Sequence, residues 1–278
     1  MTELTRGAFA KADPSPAHHV DGIDVYVDGN GPRTLVMLHG WPDTHRLWNR
    51  SILELGAVYR CVRLTLPGFD VTLPARATSL ANMTAFLLGV VDTVSPDQPV
   101  MLMLHDWGCV FGYELAMRHP SRVRSVVGVD VGDHNSAQFA RSLSARERLG
   151  IMAYQVWLAL AWKLEGRVGD RMTRWMARRA RCRAAPELMG WQMNYPYAMQ
   201  WLGLAGGLGD TAPVDLQCPL LYIYGERKPF MFHSPEWVAA LAGRPGCAAR
   251  GFPTGHWVMV EQPDAFHRCV LDWLAATP

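Results

Sequence analysis

Short apolar runs, each closed by a turn signal and separated by helix-like stretches, restrict the fold of this sequence more than any other feature. The runs are Leu35–Leu38, Cys61–Leu66, Val100–Leu104, Val123–Val129 and Leu220–Tyr224, and a last strand is predicted at Ala248–Phe252. Helices are predicted at Thr78–Thr93, Gly108–His119, Pro235–Leu241 and Pro263–Ala275. Continuous apolar runs are typical of strands buried on both faces, so the alternation predicts a mostly parallel sheet with helices on both faces. Ligands bind such sheets beyond the carboxyl ends of the strands.

The segment from His134 to Asp210 breaks this alternation. It contains no strand-like run and holds five tryptophans and many arginines at helix-like spacing. We interpret it as a helical cap inserted between two strands, with a glycine-rich exit at Gly203–Gly209. The predicted organisation is therefore core at 1–133, cap at 134–212 and core again at 213–278.

Composition and charge exclude several classes of protein. A chain of 278 residues that is 49% hydrophobic can bury one large core, and a net charge of +2 gives no field that would attract nucleic acid. No apolar run is long enough to span a bilayer. Six scattered cysteines without a CxxC pair predict free thiols rather than a metal site, and we expect no metal and no cofactor. Met1–Pro16 lacks the apolar segment of a secretory signal, so we expect a cytoplasmic protein. We expect it to be a monomer or a homodimer.

A basic amphipathic stretch runs from Arg171 to Arg183. Such a stretch can contact a membrane surface or a partner helix, or it can be the solvated face of a cap helix. We favour the solvated face.

Asp106 is the candidate nucleophile. It lies in Leu104–Cys109, where a predicted strand turns into a helix, and small residues follow it at Gly108, Cys109 and Gly112. In a nucleophile elbow such a turn lifts one side chain above the sheet, and a helix N-terminus keeps a carboxylate there ionised. The alternative is that Asp106 only caps the helix.

Two further elements follow predicted strands. His256, in Gly255-His256-Trp257 after the last strand, can activate water as a general base. In His39-Gly40-Trp41-Pro42 the backbone N–H of Trp41 can join that of Trp107 in an oxyanion hole. Each could instead be an ordinary loop residue, but the three elements in this order indicate a catalytic site.

These motifs resemble the epoxide hydrolase and haloalkane dehalogenase branch of the α/β-hydrolases. The resemblance rests on His39–Trp48, Leu66–Phe69, His105–Gly108, Arg118–Val123 and Gly255–Pro263. It implies the α/β-hydrolase fold, with an eight-stranded, mostly parallel sheet and a helical cap. It also implies that Asp106 attacks a carbon electrophile to form an ester, which water activated by His256 then hydrolyses.

The acid that orients the histidine departs from the usual pattern. Many relatives carry it after the strand that ends at Gly225, where this sequence has Lys228, and a lysine cannot accept the histidine N–H. Some relatives place the acid one strand earlier. We therefore predict Asp130 as the orienting acid, with Asp133 and Glu226 as alternatives, and a non-catalytic homologue remains a further alternative.

The choice between epoxide and halide rests on the cap. Epoxide hydrolases supply two tyrosines that protonate the opened ring, and Tyr154 with Gln155 resembles the first. Asn194-Tyr195-Pro196-Tyr197 resembles the site of the second tyrosine, but Pro196 occupies the position of the donor tyrosine itself. We favour Tyr197 as the second proton donor. Dehalogenases often have Asn or Glu at the position of Trp41. We predict opening of a small hydrophobic epoxide to a vicinal diol, with a haloalkane-type dehalogenase as the alternative. The predicted substrate-binding residues are Trp41, Trp107, Trp157, Tyr195 and Trp257.

Overall fold

One eight-stranded sheet organises the computed structural model, which describes residues 15–277. The strands are β1 His18–Val20, β2 Ile23–Asp28, β3 Thr34–Leu38, β4 Arg60–Leu64, β5 Val100–His105, β6 Val123–Val129, β7 Leu220–Gly225 and β8 Ala248–Phe252. Their order is β1-β2-β4-β3-β5-β6-β7-β8. The pairings β1/β2 and β2/β4 are antiparallel and all others are parallel. The predicted fold class is confirmed. Residues 1–14 and 278 lie outside the described residues, and with them most of Met1–Pro16 and the start of the predicted core segment 1–133.

Ten α-helices occur in the described part of the chain. They are α1 Asn49–Leu55, α2 Leu80–Val94, α3 Trp107–Arg118, α4 Ala137–Ser142, α5 Ala145–Leu164, α6 Gly166–Arg179, α7 Tyr195–Leu202, α8 Pro235–Ala242, α9 Val258–Glu261 and α10 Pro263–Ala276. Short 3-10 turns occupy His45–Trp48, Pro120–Arg122, Pro186–Leu188, Trp191–Asn194 and Leu204–Gly206. None of the helices within residues 15–277 has the length and apolar character needed to cross a bilayer.

The central strands are apolar at every position because both faces of the sheet are covered. All residues of β3 and β5 are buried. Side chains alternate between faces along a strand, so Val36 and Leu38 join one hydrophobic cluster while Leu35 and Met37 join the other. A buried parallel sheet therefore explains the continuous apolar runs.

The apolar run at Cys61–Leu66 is longer than the strand that it forms. Strand β4 ends at Leu64, and the N–H of Leu66 donates to Nε2 of His39 at 3.0 Å instead of to a neighbouring strand. The chain bends there toward the end of β3. Because Leu66 donates to the His39 side chain, β4 ends at Leu64, two residues before the apolar run ends.

Helices α4 to α7 all lie between β6 and β7, and no strand interrupts them in the described chain from His134 to Asp210. The boundaries 134–212 for a cap remain a proposal. Strands β3, β5, β6 and β7 run parallel, so the residues that follow them meet at one edge of the sheet. That edge, below the inserted helices, holds His39, Asp106 and Asp130.

Candidate active site

Asp106 occupies a strained turn between β5 and α3. Its backbone has φ 54° and ψ −121°, a region that non-glycine residues rarely adopt. The turn is tight because α3 approaches β3 closely: a Cβ on Gly108 would lie 2.4 Å from the carbonyl oxygen of Leu38. The Asp106 side chain makes no hydrogen bond that caps α3, so its alternative role as a helix cap has no support in this geometry.

The two carboxylate oxygens of Asp106 have different partners. Oδ1 accepts a hydrogen bond from the backbone N–H of Trp41 at 2.6 Å, and Oδ2 lies 3.4 Å from Nε2 of His256. A Cβ on Gly40 would lie 2.3 Å from Oδ1, so only glycine allows this approach. Burial opposes ionisation of Asp106, but the hydrogen bond and charge of His256 and the N–H of Trp107 hold its pKa below the usual value.

His256 lies between two carboxylates. Its Nδ1 is hydrogen-bonded to Oδ2 of Asp130, and its Nε2 faces Asp106. Burial disfavours the protonated ring, but the charge of Asp130 and the hydrogen bonds to Asp106 and Asp130 outweigh it and raise the pKa of His256 to about 9. The two carboxylates thus favour the protonated ring in the resting protein, and loss of either negative charge would lower the pKa of His256.

Asp130 follows β6 and is fully buried, with φ 70°. Its Oδ1 accepts the N–H of Gly225 at 2.9 Å and also the ammonium of Lys228, while Oδ2 accepts from His256. Burial raises the pKa of Asp130, yet the charges of Lys228 and His256 outweigh burial and bring it below the usual value. Lys228, which occupies the position where many relatives carry the orienting acid, thus binds Asp130, which follows the neighbouring strand.

The two alternative acids are not near His256. Asp133 accepts hydrogen bonds from the N–H and hydroxyl of Ser234, both at 2.7 Å, and from the hydroxyl of Ser136 at 2.6 Å. Glu226 is exposed and its side chain lies beside Gly251. Of the three candidates, the structure brings Asp130 to the histidine.

Asp43 is a buried carboxyl group that the sequence analysis did not single out. Its Oδ2 accepts the indole N–H of Trp257 at 2.8 Å. Burial raises the pKa of Asp43 to about 7, although the Trp257 hydrogen bond and the charge of His256 oppose this rise. Trp257, predicted to bind substrate, packs edge-on against the His256 ring, with centroids 4.9 Å apart. The sequence signal for Asp43 was its place in the run His39–Trp48, directly after Pro42.

Two histidines of the motifs have supporting positions. Nδ1 of His39 lies 3.0 Å from the Gly40 carbonyl, and its Nε2 accepts from Leu66, so this fully buried ring links the loops after β3 and β4. Burial lowers the pKa of His39 to about 3, and that of His105 also to about 3. Nε2 of His105 lies 3.2 Å from the His256 carbonyl. Both rings are neutral and hold loops of the site.

Two tyrosines of the inserted helices approach Asp106. The Tyr197 ring lies edge-on to those of Trp107, Trp41 and Tyr154, with centroids 5.3, 5.9 and 6.0 Å away. The hydroxyl of Tyr154 accepts from the side chain of Gln155 at 3.2 Å. Burial raises the pKa of both phenols above the usual value, and the Asp106 charge adds to the effect. Both therefore carry their protons at neutral pH.

Two other predicted residues face elsewhere. Tyr195 packs against Phe69, with ring centroids 5.7 Å apart, and its buried hydroxyl has no hydrogen-bond partner within residues 15–277. Tyr195 and Tyr197 point in opposite directions because residues two apart on a helix are separated by about 200°. Trp157 packs against Trp175 at 5.0 Å and donates to the carbonyl of Met172 at 3.1 Å. The structure does not bring Tyr195 or Trp157 to Asp106.

Asn194 connects the inserted helices to Trp41 in the loop after β3, a contact that the sequence did not predict. Its Oδ1 accepts the indole N–H of Trp41 at 2.7 Å, and its Nδ2 donates to the hydroxyl of Thr173 at 2.7 Å. Asn194 is fully buried, and its amide thereby fixes the Trp41 ring beside Tyr197.

The arrangement has the parts that nucleophilic catalysis needs. An ionised carboxylate faces a histidine, a buried acid orients that histidine, and backbone N–H groups lie beside the carboxylate. Within residues 15–277, no group of three or more His, Cys, Asp or Glu side chains is arranged to hold a metal ion.

Comparisons with known proteins agree with this geometry. The model of the alpha/beta hydrolase family matches residues 35–268. A Mycobacterium tuberculosis protein named "Probable oxidoreductase EphD" is 37% identical over 101 residues, which is 34% of this chain and 17% of that protein. Epoxide hydrolase 2 of Siraitia grosvenorii is 32% identical over 117 residues, 40% of this chain and 36% of that protein. The chain thus aligns with well under half the length of these curated relatives.

Solved structures agree over nearly the whole chain. An epoxide hydrolase from Bacillus megaterium, crystallised in complex with an inhibitor, superposes with a TM-score of 0.67. The match covers 93% of this chain and 99% of that one at 18% sequence identity. At this identity the match establishes the fold.

Proposed function

This chain belongs to the alpha/beta hydrolase family, and we propose that it opens a small hydrophobic epoxide to a vicinal diol through an ester of Asp106. The observation that carries the proposal is the pair of protonated phenols, Tyr154 and Tyr197, beside the elbow carboxylate. Ring opening produces an alkoxide, which needs a proton donor next to the nucleophile. Named relatives support the same chemistry, since several are epoxide hydrolases.

In the first step Oδ2 of Asp106 attacks one epoxide carbon. A carbon–oxygen bond of the ring breaks, and the released oxygen takes a proton from Tyr154 or Tyr197. Oδ1 remains bound to the N–H of Trp41, which holds the carboxylate in one orientation during the attack. The products of this step are a neutral ester, a free hydroxyl group on the adjacent carbon and the phenolate of the tyrosine that gave up its proton.

Ester formation prepares the second step. It removes the negative charge of Asp106, so the pKa of His256 falls from its resting value of about 9; the ring loses its proton and the phenolate regains one. Neutral His256, oriented by Asp130, takes a proton from water, and the hydroxide adds to the ester carbonyl carbon. The charge develops on Oδ1, where the N–H groups of Trp41 and Trp107 stabilise it. When this intermediate collapses, the ester bond breaks and the leaving oxygen takes a proton from the imidazolium. The new carboxyl group returns a proton to the ring, which releases the diol and restores Asp106 and His256.

A haloalkane dehalogenase would need N–H donors free to hold the departing halide. The indole N–H of Trp41 already donates to Asn194, which leaves Trp107 as the indole beside the nucleophile. The geometry therefore favours the epoxide over the halide. Aromatic side chains around Asp106 favour a hydrophobic substrate.

A single turnover in heavy-oxygen water tests the covalent route. Excess enzyme is mixed with a styrene-type epoxide, and the protein and diol are analysed by mass spectrometry. We expect the label first in the Asp106 carboxylate, because water attacks the ester carbonyl carbon and not the substrate. Label that enters the diol directly in the first turnover would contradict the proposed ester.

A substrate comparison tests the reaction class. The protein is assayed with styrene-type epoxides and with bromoalkanes of similar size, and diol and bromide are measured. We expect diol and no bromide. Release of bromide would identify a dehalogenase, and absence of both products together with absence of any ester would identify a non-catalytic homologue.

A further inference from the structure

The outer surface of α5 and α6 carries a cluster of exposed apolar side chains. Of the eleven large apolar side chains that are exposed in residues 15–277, six lie on these two helices. They are Leu149 (61% exposed), Met152 (42%), Leu160 (44%), Leu164 (57%), Val168 (53%) and Trp175 (44%). Contiguous exposed apolar patches are rare on monomers and mark interaction surfaces.

Helix α5 is apolar on its exposed side as well as on its buried side. Residues at 149, 153, 156, 160 and 164 share one face, and they are Leu, Ala, Val, Leu and Leu. This face is about 22 Å long at the helical rise per residue. Leu158, Ala159 and Ala161 are buried on the other side. A surface helix normally carries polar residues on its outer face, and here that face is apolar.

The apolar face of α5 borders a basic stripe on α6. The Trp157 ring packs on Trp175, so the apolar surface continues onto the flank of α6. Arg167, Arg171 and Arg178 share the next side of that helix and are exposed. We call the apolar face of α5 the apolar stripe. We call residues 145–183, which carry the apolar stripe and the basic stripe, the cap face.

The cap face is strongly basic within a nearly neutral protein. It holds ten Arg and Lys and three Asp and Glu, a net charge of +7, whereas the rest of the chain carries −5. Within residues 15–277 one ion pair occurs in this segment, between Arg174 and Asp170 at 3.9 Å. Arg148 donates to the carbonyls of Leu143 and Ala140, and Arg179 lies over the Trp175 ring. The exposed arginines of the basic stripe have no ion-pair partner in the described residues and can face an external anionic surface.

We propose that the cap face docks on an anionic phospholipid bilayer and lies in the interface without crossing it. An apolar stripe beside a row of arginines, with tryptophan between them, is the pattern of helices that bind at the membrane surface. Anionic lipids attract the basic stripe while the apolar stripe enters the boundary of the acyl chains. A second copy fits less well, since a two-fold contact through this face would bring two charges of +7 together.

Cosedimentation with vesicles tests this docking. The full chain is mixed with vesicles of phosphatidylcholine alone or with phosphatidylglycerol added, at low and high salt. We expect at least roughly tenfold more binding to the anionic vesicles, and loss of most of that binding at high salt. Equal binding to both vesicles, or no binding to either, would overturn the proposal.

Paired variants separate the two stripes. Leu160→Gln with Leu164→Gln removes apolar surface, and Arg167→Gln with Arg171→Gln removes charge; each pair is expected to lower vesicle binding several-fold. The matched controls are Leu53→Gln, at a position 67% exposed on α1, and Arg124→Gln, exposed on β6, and both should bind as the wild type does. Light scattering measures the oligomeric state of the wild type and of the Leu160→Gln/Leu164→Gln variant. A wild-type dimer that this variant dissociates would mean that the cap face binds a second copy, and it would overturn the proposal.

A second inference concerns Lys228 and rests on the proposed role of His256. Lys228 is 7% exposed at its side chain, and its ammonium binds Oδ1 of Asp130, the oxygen that also accepts from Gly225. His256 has the other oxygen. We infer that Lys228 is a positioning residue that shares the Asp130 carboxylate with His256 and thereby limits how strongly the carboxylate stabilises the protonated ring.

The charges around this group set the direction of the effect. His256 faces Asp106 and Asp130 directly, His105 lies beside it at 4.5 Å between ring centroids, and Asp43 lies behind Trp257. A buried cation on the shared carboxylate disfavours a second cation on the ring. Removal of the Lys228 charge should therefore make the His256 ring harder to deprotonate.

An NMR titration of His256 in the resting protein tests this inference without turnover. We expect Lys228→Gln to raise the His256 pKa by about one unit, and Lys228→Arg, which keeps the charge, to leave it near the wild-type value. Arg227→Gln, which removes a neighbouring exposed charge, is the matched control. An unchanged pKa in Lys228→Gln would overturn the inference.

The pH dependence of ester hydrolysis then separates this inference from the proposed function. Since hydrolysis needs the neutral ring, the acid limb of its rate in Lys228→Gln should move to higher pH by the shift that NMR measures. A shifted pKa with an unshifted rate profile would mean that His256 is not the base, so the proposed function would fail while the electrostatic effect of Lys228 stood.

Discussion

A single carboxylate has two roles in the proposed reaction because its oxygens have different surroundings. Oδ1 of Asp106 is held at 2.6 Å by the N–H of Trp41 and becomes the oxyanion of the second step. Oδ2 faces His256 at 3.4 Å and is the attacking atom of the first. The histidine then acts only after the attack, because the ester removes one of the charges that keep the ring protonated.

Replacement of the base should stop the reaction at the ester. In His256→Gln we expect Asp106 to attack normally and water activation to fail, so that kcat falls by roughly 10³-fold or more. Mass spectrometry of the protein should show an adduct with the mass of the epoxide. The double variant His256→Gln with Asp106→Asn is the control and should show no adduct; an adduct there would place the nucleophile elsewhere.

The two tyrosines of the Asn194–Tyr197 segment should differ in their effect on ring opening. Tyr197→Phe removes a proton donor near Asp106 and should lower the rate of ester formation by roughly tenfold to hundredfold. Tyr195→Phe removes a hydroxyl that has no partner in the described structure and should change that rate by less than about twofold. Rapid-quench measurement of the ester distinguishes them, and a larger loss in Tyr195→Phe would reverse the assignment.

At the scale of elements, the elbow depends on the close approach of α3 to the end of β3. Gly108 lies at the contact, and Gly40 in the facing loop lies against Asp106 and Trp107. Backbone atoms take part in both contacts, so the neighbours cannot simply rotate aside to make room. Asp106 is therefore positioned by two glycines that have no chemistry of their own.

Gly108→Ala should damage both stability and activity. The added Cβ would lie 2.4 Å from the Leu38 carbonyl oxygen, so strand and helix must separate, and we expect a loss of at least about 2 kcal/mol in the free energy of unfolding. The control is Gly150→Ala in α5, where the nearest atom is a Phe230 carbon at 3.8 Å. That change should stabilise the protein by up to about 1 kcal/mol. Denaturant titration measures both, and equal effects would contradict the packing argument.

At the scale of the whole molecule, the site joins distant parts of the chain. His256 follows the last strand, Asp106 and Asp130 follow central strands, and Trp41 follows β3. The inserted helices contribute Tyr154, Tyr197 and Asn194 from above. The charged state of the site is therefore linked to the stability of the entire fold.

This linkage predicts that stability falls as pH rises. The pKa of His256 is raised from 6.5 to about 9 in the folded state, so its stabilising contribution is complete below pH 6.5 and is lost as pH rises through 9. The loss should be on the order of 3 kcal/mol. Denaturant titrations across this range should show the decline in the wild type and a smaller one in His256→Gln. Parallel curves would contradict the prediction, and Asp43, whose pKa is about 7, is present in both proteins.

Hydrophobic periodicity and motif order were sufficient to predict β3 to β8, the inserted helical segment and the elbow, but they did not locate β1 and β2. The runs that became β3, β5 and β6 are continuous because both sheet faces are covered, and this burial is visible in the local composition. Asp106 and His256 were predictable for a related reason. Parallel strands bring whatever follows them to one edge, so position after a strand is itself spatial information.

The contacts made by side chains across elements could not be predicted in the same way. Lys228 binds an aspartate 98 residues earlier in the chain, and Trp41 binds Asn194 across 153 residues. Such pairs depend on how strands and helices pack, and on which way a side chain leaves a helix, as Tyr195 and Tyr197 show. Local sequence was enough to establish where reactive groups follow strands. Which carboxylates, amides and ammonium groups share hydrogen bonds depends on packing, because those distances arise only when distant elements come together.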